Sequence, residues 1–195
     1  ILMELNFSKQ FLPIFLLIVL ILVWTSVWSL FKIAIEAIPP LSFRVIIGIP
    51  AFALLLFLGF KKVKTVYVPK SDFKPLLLIS FFNVTLWQVL MLYGINMLGG
   101  GRAAVLTYTM PVWATIFASI FGYEKINISI IISLIFGMTG IIFLSLEINI
   151  FENVLGFLIT LSAGLSWAIG TMIVKYGGIR SDGLIVAGWQ QIIGI

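Results

Sequence analysis

Trp24-Thr-Ser-Val-Trp-Ser-Leu-Phe-Lys32 and Trp167-Ala-Ile-Gly-Thr-Met-Ile-Val-Lys175 share one frame: a tryptophan, then a lysine eight residues later, within otherwise apolar sequence. A second match follows in the same order, where Phe43-Arg44-Val-Ile-Ile-Gly48-Ile49 parallels Trp189-Gln190-Gln-Ile-Ile-Gly194-Ile195. Lys32 and Lys175 are 143 residues apart, Gly48 and Gly194 146 apart, so the second copy has a turn three residues longer. Two matches in order at nearly one offset mark an internal repeat.

What lies between the copies sets their relative direction. A bilayer core of about 30 Å takes about 20 apolar residues of helix. No charge occurs over 10–31, 75–101, 103–123, 126–146 or 153–174, and 41–60 is interrupted only by Arg44 near its start. The stretch from Gly183 to Ile195 is too short to cross. Six complete membrane helices and the opening of a seventh are therefore expected. Five helices separate the start of one copy from the start of the next, and an odd number inverts the second relative to the first. The predicted fold is an all-α polytopic bundle of inverted five-helix repeats, with 1–147 as the first unit and 148–195 as the start of a truncated second. Inverted repeats of this kind occur in secondary transporters, with the substrate site near the midplane where the copies meet.

Composition agrees. The 195 residues are 62% hydrophobic and 10% charged, with a mean hydropathy of +1.22, against roughly 45–50% and about 25% in soluble domains. A water-soluble enzyme, a disordered tail and a nucleic-acid module are excluded. With no Cys and no His, disulfides, thiol chemistry, most zinc and haem sites and imidazole catalysis are removed as well, and no cofactor is expected. The runs are continuously apolar, unlike the alternating strands of a membrane barrel. The first run exceeds a typical signal core and is read as a spanning helix.

The net charge of +5 orients the chain rather than attracting an anionic polymer. The link from Lys61 to Lys74 carries five lysines against Asp72, and basic links stay cytoplasmic. That places the N-terminus, Lys9, Lys125, Lys175 and Arg180 on the cytoplasmic side of the cell membrane, with Lys32, Arg44, Arg102 and the Glu147–Glu152 link on the outer side.

On these residues the chain resembles the EamA branch of the drug/metabolite transporter superfamily over nearly its whole length. Trp24 to Lys32 is similar to that family's Trp-Gly-Ser-x-Phe-x-x-x-Lys pattern, with Thr25 at the glycine position. Gly101-Arg102-Ala103-Ala104-Val105-Leu106, then Pro111, Gly122 and Glu124 resemble its fourth helix, with Tyr123 inserted between the last two. Leu165-Ser166-Trp167-Ala168 through Lys175 resembles the opening of its second unit. The resemblance implies ten helices in two inverted units, both termini cytoplasmic, and export of amino acids, metabolites or drugs; the plastid sugar-phosphate translocators are relatives.

Polar groups inside a bilayer are functional candidates unless protein partners absorb them. In the first helix Thr25, Ser29 and Lys32 share a face beside Trp24 and Trp28; they read either as a pathway stripe or as close packing with a snorkelling lysine. The third helix holds Asn83, Thr85, Trp87 and Gln88, and the fourth Thr107, Tyr108 and Thr109. Pro111 removes a hydrogen bond from the Thr107 carbonyl, which suits a hinge or a static kink. Gly99 to Gly101 reads as a tight external turn, and Glu124 as a cap or a partner of Lys125. The expected substrate-binding set is Trp24, Thr25, Trp28, Asn83, Trp87, Gln88, Thr107, Tyr108, Ser166, Trp167 and Thr171, with Pro111 as hinge. The expected activity is a secondary transporter moving a small-molecule substrate across the lipid bilayer by alternating access. The alternatives are a channel-like membrane protein and, on weaker grounds, a polytopic enzyme, for which no carboxylate lies in a full span. No nucleic-acid partner is expected, and a homodimer is compatible with the reading.

Overall fold

The computed structural model describes residues 7–145 and 153–195. The expected Glu147–Glu152 link and the expected unit boundary at 147/148 lie outside the described residues. The first apolar run forms α1 (Phe7–Ala37), and Pro39 and Pro40 turn the chain. A proline disfavours helix in the residue before it, while its fixed φ suits the first position of the next helix. Pro40 accordingly opens α2 (Pro40–Val63). This helix ends at Lys64, which takes a left-handed φ of 60° and donates its N–H to the Phe60 carbonyl, while Lys61 and Lys62 lie at the negative end of the helix dipole.

The next span, Lys70–Leu98, is continuous but not uniform. It comprises α3 (Lys70–Ile79), a π-helical stretch Ser80–Leu86, and α4 (Trp87–Leu98). Gly99 then reverses the chain with φ +83°, a conformation open to glycine at little cost. The fourth span was expected as one helix kinked at Pro111. It is two: α5 (Gly100–Thr107) and α6 (Met110–Ile120), parted at Tyr108–Thr109. Pro111 stands in the first turn of α6, where its missing N–H costs nothing. The remaining helices are α7 (Ile128–Ser145), α8 (Val154–Tyr176) and α9 (Gly183–Gly194). Asn153 and Asp182 cap α8 and α9 by accepting from the N–H of Gly156 and Leu184.

Among the described residues five segments are long and apolar enough to cross a membrane, and α7 is a shorter apolar helix. The side chains of α1 from Leu12 to Val23 are exposed one after another, an apolar surface far larger than water tolerates and suited to lipid. Two small cores fill the bundle. One gathers Trp28, Ile35, Phe43, Met91, Ile95 and Ala103, and the other Leu76, Ile79 and Val186.

Small residues allow the helices to approach closely, the usual basis of association in lipid. A Cβ on Gly94 would lie 2.2 Å from Thr160 Oγ1, and one on Gly170 1.7 Å from Asn83 Oδ1. Residue numbers fall along one helix as they rise along the other, so α4 and α8 are antiparallel. The same holds for α2 and α9, where Gly59 meets Ile185 and Gly188 meets Leu56. Because α1 runs with α4 through two reversals, it opposes α8. The Trp24–Lys32 and Trp167–Lys175 segments therefore point to opposite ends.

Those ends differ in construction. At one, Gly100 abuts the Trp28 backbone, where a Cβ would stand 2.8 Å from its carbonyl oxygen, and the Asn153 amide donates to the Met97 carbonyl at 3.2 Å. Lys32 pairs with Glu36 here at 3.4 Å. The other end is ionic. Lys62 pairs with Asp182 at 2.7 Å; Glu124 receives Lys175 and the Tyr176 hydroxyl, so its partner is Lys175 and not the expected Lys125. Asp72, 1% exposed, accepts from the N–H of Arg180 and Ser181 and from the hydroxyls of Ser71 and Ser181.

Two tests follow from the helix directions and the contact at Gly100. The chain has no cysteine, so Lys32→Cys and Lys175→Cys report sidedness directly: an impermeant maleimide should label them from opposite faces of a sealed vesicle. Gly100→Ala has only backbone in front of it and should destabilise by about 1–3 kcal/mol. Gly101→Ala, with nothing within 4 Å of its Cβ, should leave the midpoint of thermal unfolding in detergent unchanged or slightly raised.

Candidate functional site

The tryptophan-bearing face of α1 packs against α4, and four helices converge there on a cavity of about 340 Å³. Trp24, Trp28 and Phe31 come from α1, Arg44 from α2, Trp87 and Gln88 from α4, and Gln191 from α9. The volume falls within the usual range for a small organic ligand. Four of the expected binding residues, Trp24, Trp28, Trp87 and Gln88, thus share one space.

Trp167 supports this space from behind. Its ring meets Trp87 at 4.6 Å between centroids and Trp24 edge-on at 6.4 Å, so α8 holds both rings in place. Trp28, 5% exposed, is set by an edge contact with Tyr108 at 6.0 Å. Tyr108 also lines a second cavity of about 320 Å³, together with Pro111, Thr115, Glu124 and Ser133, so it faces α7 as much as Trp28.

Other expected residues are structural in their contacts. The Thr25 side chain is exposed and donates to the Ile21 carbonyl of its own helix at 2.7 Å. Thr107 is fully buried and donates to the Ala103 carbonyl at 2.8 Å. Asn83 fills the notch at Gly170, with its Oδ1 buried and unpaired. Ser166 donates to the Phe82 carbonyl at 2.6 Å, which meets a backbone acceptor in the π-helical stretch. Thr171 is half-buried one turn beyond Trp167 and does not line the 340 Å³ cavity.

Two polar residues of the cavity, Arg44 and Gln191, were missing from the expected set. Arg44 is 6% exposed, and its Nη2 donates to Gln191 Oε1 across 147 residues of chain. Its Nε is buried without a partner, as is Trp87 Nε1. The signal was available in the general cost of a charge within a span. Arg44 had instead been assigned to the outer surface because it lies near a helix start.

The broken backbone beside the cavity is supported locally. Thr85 donates to the Gly194 carbonyl at 2.7 Å, and Thr109 Oγ1 donates to the Leu106 carbonyl while accepting from Trp113 Nε1. Such π stretches and helix breaks recur at functional sites, and here they flank the cavity on α4 and α5.

Comparison with known proteins agrees with this architecture. Residues 11–146 match the EamA-like transporter family. The chain is 30% identical over 179 residues to an uncharacterized transporter of Bacillus subtilis, YoaV, covering 89% of this chain and 60% of that protein. It is 29% identical over 181 residues to a second from the same organism, YvbV, covering 92% and 59%. With the uncharacterized inner membrane transporter YedA of Escherichia coli K12 it shares 28% over 171 residues, or 84% and 54%. The chain therefore spans somewhat over half the length of these relatives. No solved structure gives a significant match. Apolar helices in number, a largely aromatic cavity among them and a match across most of the sequence lead to one statement: this chain is a multi-pass membrane protein of the EamA-like transporter family.

Proposed function

We propose that the protein is a secondary carrier that moves small organic solutes by alternating access, as an exporter in the cell membrane with its N-terminus cytoplasmic. The observation that carries the reading is the 340 Å³ cavity, because it joins Trp24, Trp28 and Trp87 of the first copy to Gln191 of the second. A site made by two oppositely directed units changes its exposure when the units rock. The Trp walls suit a flat apolar body, and Gln88 and Gln191 suit its polar substituents. The break between α5 and α6 supplies a flexible point, with Pro111 fixing the start of the second piece.

Alternating access needs an end that can part. Glu124, at the close of α6, ties that helix to Lys175 and Tyr176 of α8. The Lys175 ammonium, and then the Tyr176 hydroxyl, hold the Glu124 carboxyl below its ordinary value. A carboxylate depressed in the folded state contributes stability that is complete above the ordinary carboxylate pKa and is lost as pH falls through the depressed one.

In proteoliposomes the carrier reading predicts slow, saturable counterflow of at least one solute from a panel of amino acids, aromatic acids and drug-like amines. Trp87→Ala should reduce the initial rate about tenfold or more, equivalent to about 1.4 kcal/mol of lost interaction. Fast flux that rises linearly with concentration would refute carriage in favour of a channel. Separately, Glu124→Gln should melt below the wild type at neutral pH. The gap should close as the pH drops through the acid range below the normal carboxylate pKa, measured as thermal midpoints in one detergent.

A further inference from the structure

A guanidinium out of water needs acceptors, and Arg44 has few. Of its five N–H donors one is used, on the neutral amide oxygen of Gln191, and Nε is buried with none. Its natural counter-charges are engaged elsewhere. Among the described residues Glu36 pairs with Lys32, Asp182 with Lys62 and Glu124 with Lys175, while Asp72 is occupied by Arg180, Ser181 and Ser71. A second unpaired donor, Trp87 Nε1, belongs to the same cavity lining. Both orphans on residues of this lining are donors, whereas the unpaired acceptor Asn83 Oδ1 lies outside it against Gly170, so the cavity asks for an acceptor. A buried charge left without a partner is strongly destabilising, and a charge inside a span marks a functional site whose partner should be sought.

We propose that this cavity recognises a solute carrying one carboxylate beside an aromatic or apolar body, with Arg44 as its anion-binding group. The proposal rests on the carrier reading for its biological use, but the binding claim stands separately. Arg44 offers the planar fork that matches a carboxylate, Trp87 Nε1 adds a donor, and Trp24 and Trp28 wall the apolar part. One guanidinium in the lining suits one negative charge. The shared chemistry is a monoanion, which a free solute or an anionic lipid headgroup could provide, and we assign it to the solute because aromatic rings supply much of the wall.

The test uses the protein in phosphatidylcholine nanodiscs and three probes with one phenyl body: phenylacetate, phenylacetamide and phenethylamine. Tryptophan fluorescence follows binding. Phenylacetate should bind about tenfold or more tighter than the amide, the scale of one charge-assisted hydrogen bond, and phenethylamine most weakly. Arg44→Gln should erase the preference, and Arg44→Lys should keep only part of it. Gln191→Glu keeps the guanidinium but gives it an internal carboxylate, and should also erase the preference, so it decides the matter if Arg44→Gln does not fold. Equal binding of the three probes by the wild type, or a preference that survives Arg44→Gln or Gln191→Glu, would overturn the proposal. So would competitive displacement of phenylacetate by added phosphatidylglycerol, which would make the cavity a headgroup site. Phenylacetate preference without counterflow leaves this proposal standing and defeats carriage; counterflow of the amide or amine unaltered by Arg44→Gln does the reverse.

Discussion

Lipid does not hydrate a broken backbone, so each interruption in these helices must be met by donors or tight packing from elsewhere in the chain. Most of that support comes from α8 and α9. Ser166 reaches the Phe82 carbonyl in the π-helical stretch, and Thr85 joins that stretch to the Gly194 carbonyl. Where α5 gives way to α6, Pro111 has no N–H to return to Thr107, and the Thr107 carbonyl lies against Gly164, 3.1 Å from where a Cβ would be. These irregular segments are thus tenable because α8 and α9 lie against them.

The same contact shapes the cavity. Gly164 and Gly170 let α8 approach α5 and the π-helical stretch, whereas Trp167 between them is too large to do so and turns its ring onto Trp87 and Trp24. Small residues draw the helices together, and one large residue aligns the aromatic wall of the space on the far side. Ring contacts of this type add about 0.5–1.5 kcal/mol beyond the area they bury, enough to favour one orientation of each indole. The cavity is therefore a consequence of how α8 packs, although Trp167 itself does not line it.

Five of the six expected spans appear among the described residues as helices long and apolar enough to cross a membrane, and they were legible because hydropathy acts on whole segments. Single side chains were harder. Thr25 and Thr107 read as pathway groups, yet each bonds a carbonyl four residues back in its own helix, an outlet open to any helical threonine and invisible in spacing. The π-helical stretch Ser80–Leu86 contains neither proline nor glycine, so no breaker announced it; its cause is tertiary. Arg44 does not announce itself as a cavity residue because its partner is 147 residues away, beyond any local pattern. Glu124 was paired with its neighbour Lys125 for the same reason, since proximity along the chain is the only distance a sequence shows.

The lysine-rich end divides into two seams of unequal exposure. Asp72 is 1% exposed and receives four donors, two backbone N–H groups and two serine hydroxyls, so it fastens the α8–α9 turn to the start of α3. Glu124 has a side chain 38% exposed, and water readily replaces the partners of an exposed ion pair. The second seam, between α6 and α8, also borders an apolar cavity of about 520 Å³ lined by Lys74, Phe117, Tyr123 and Tyr176. Tyr123 and Tyr176 stack at 4.0 Å across it, a contact that parallel rings can slide along before it breaks. Of the two, the Glu124 seam is the more open to water, whereas Asp72 holds its turn from within the protein.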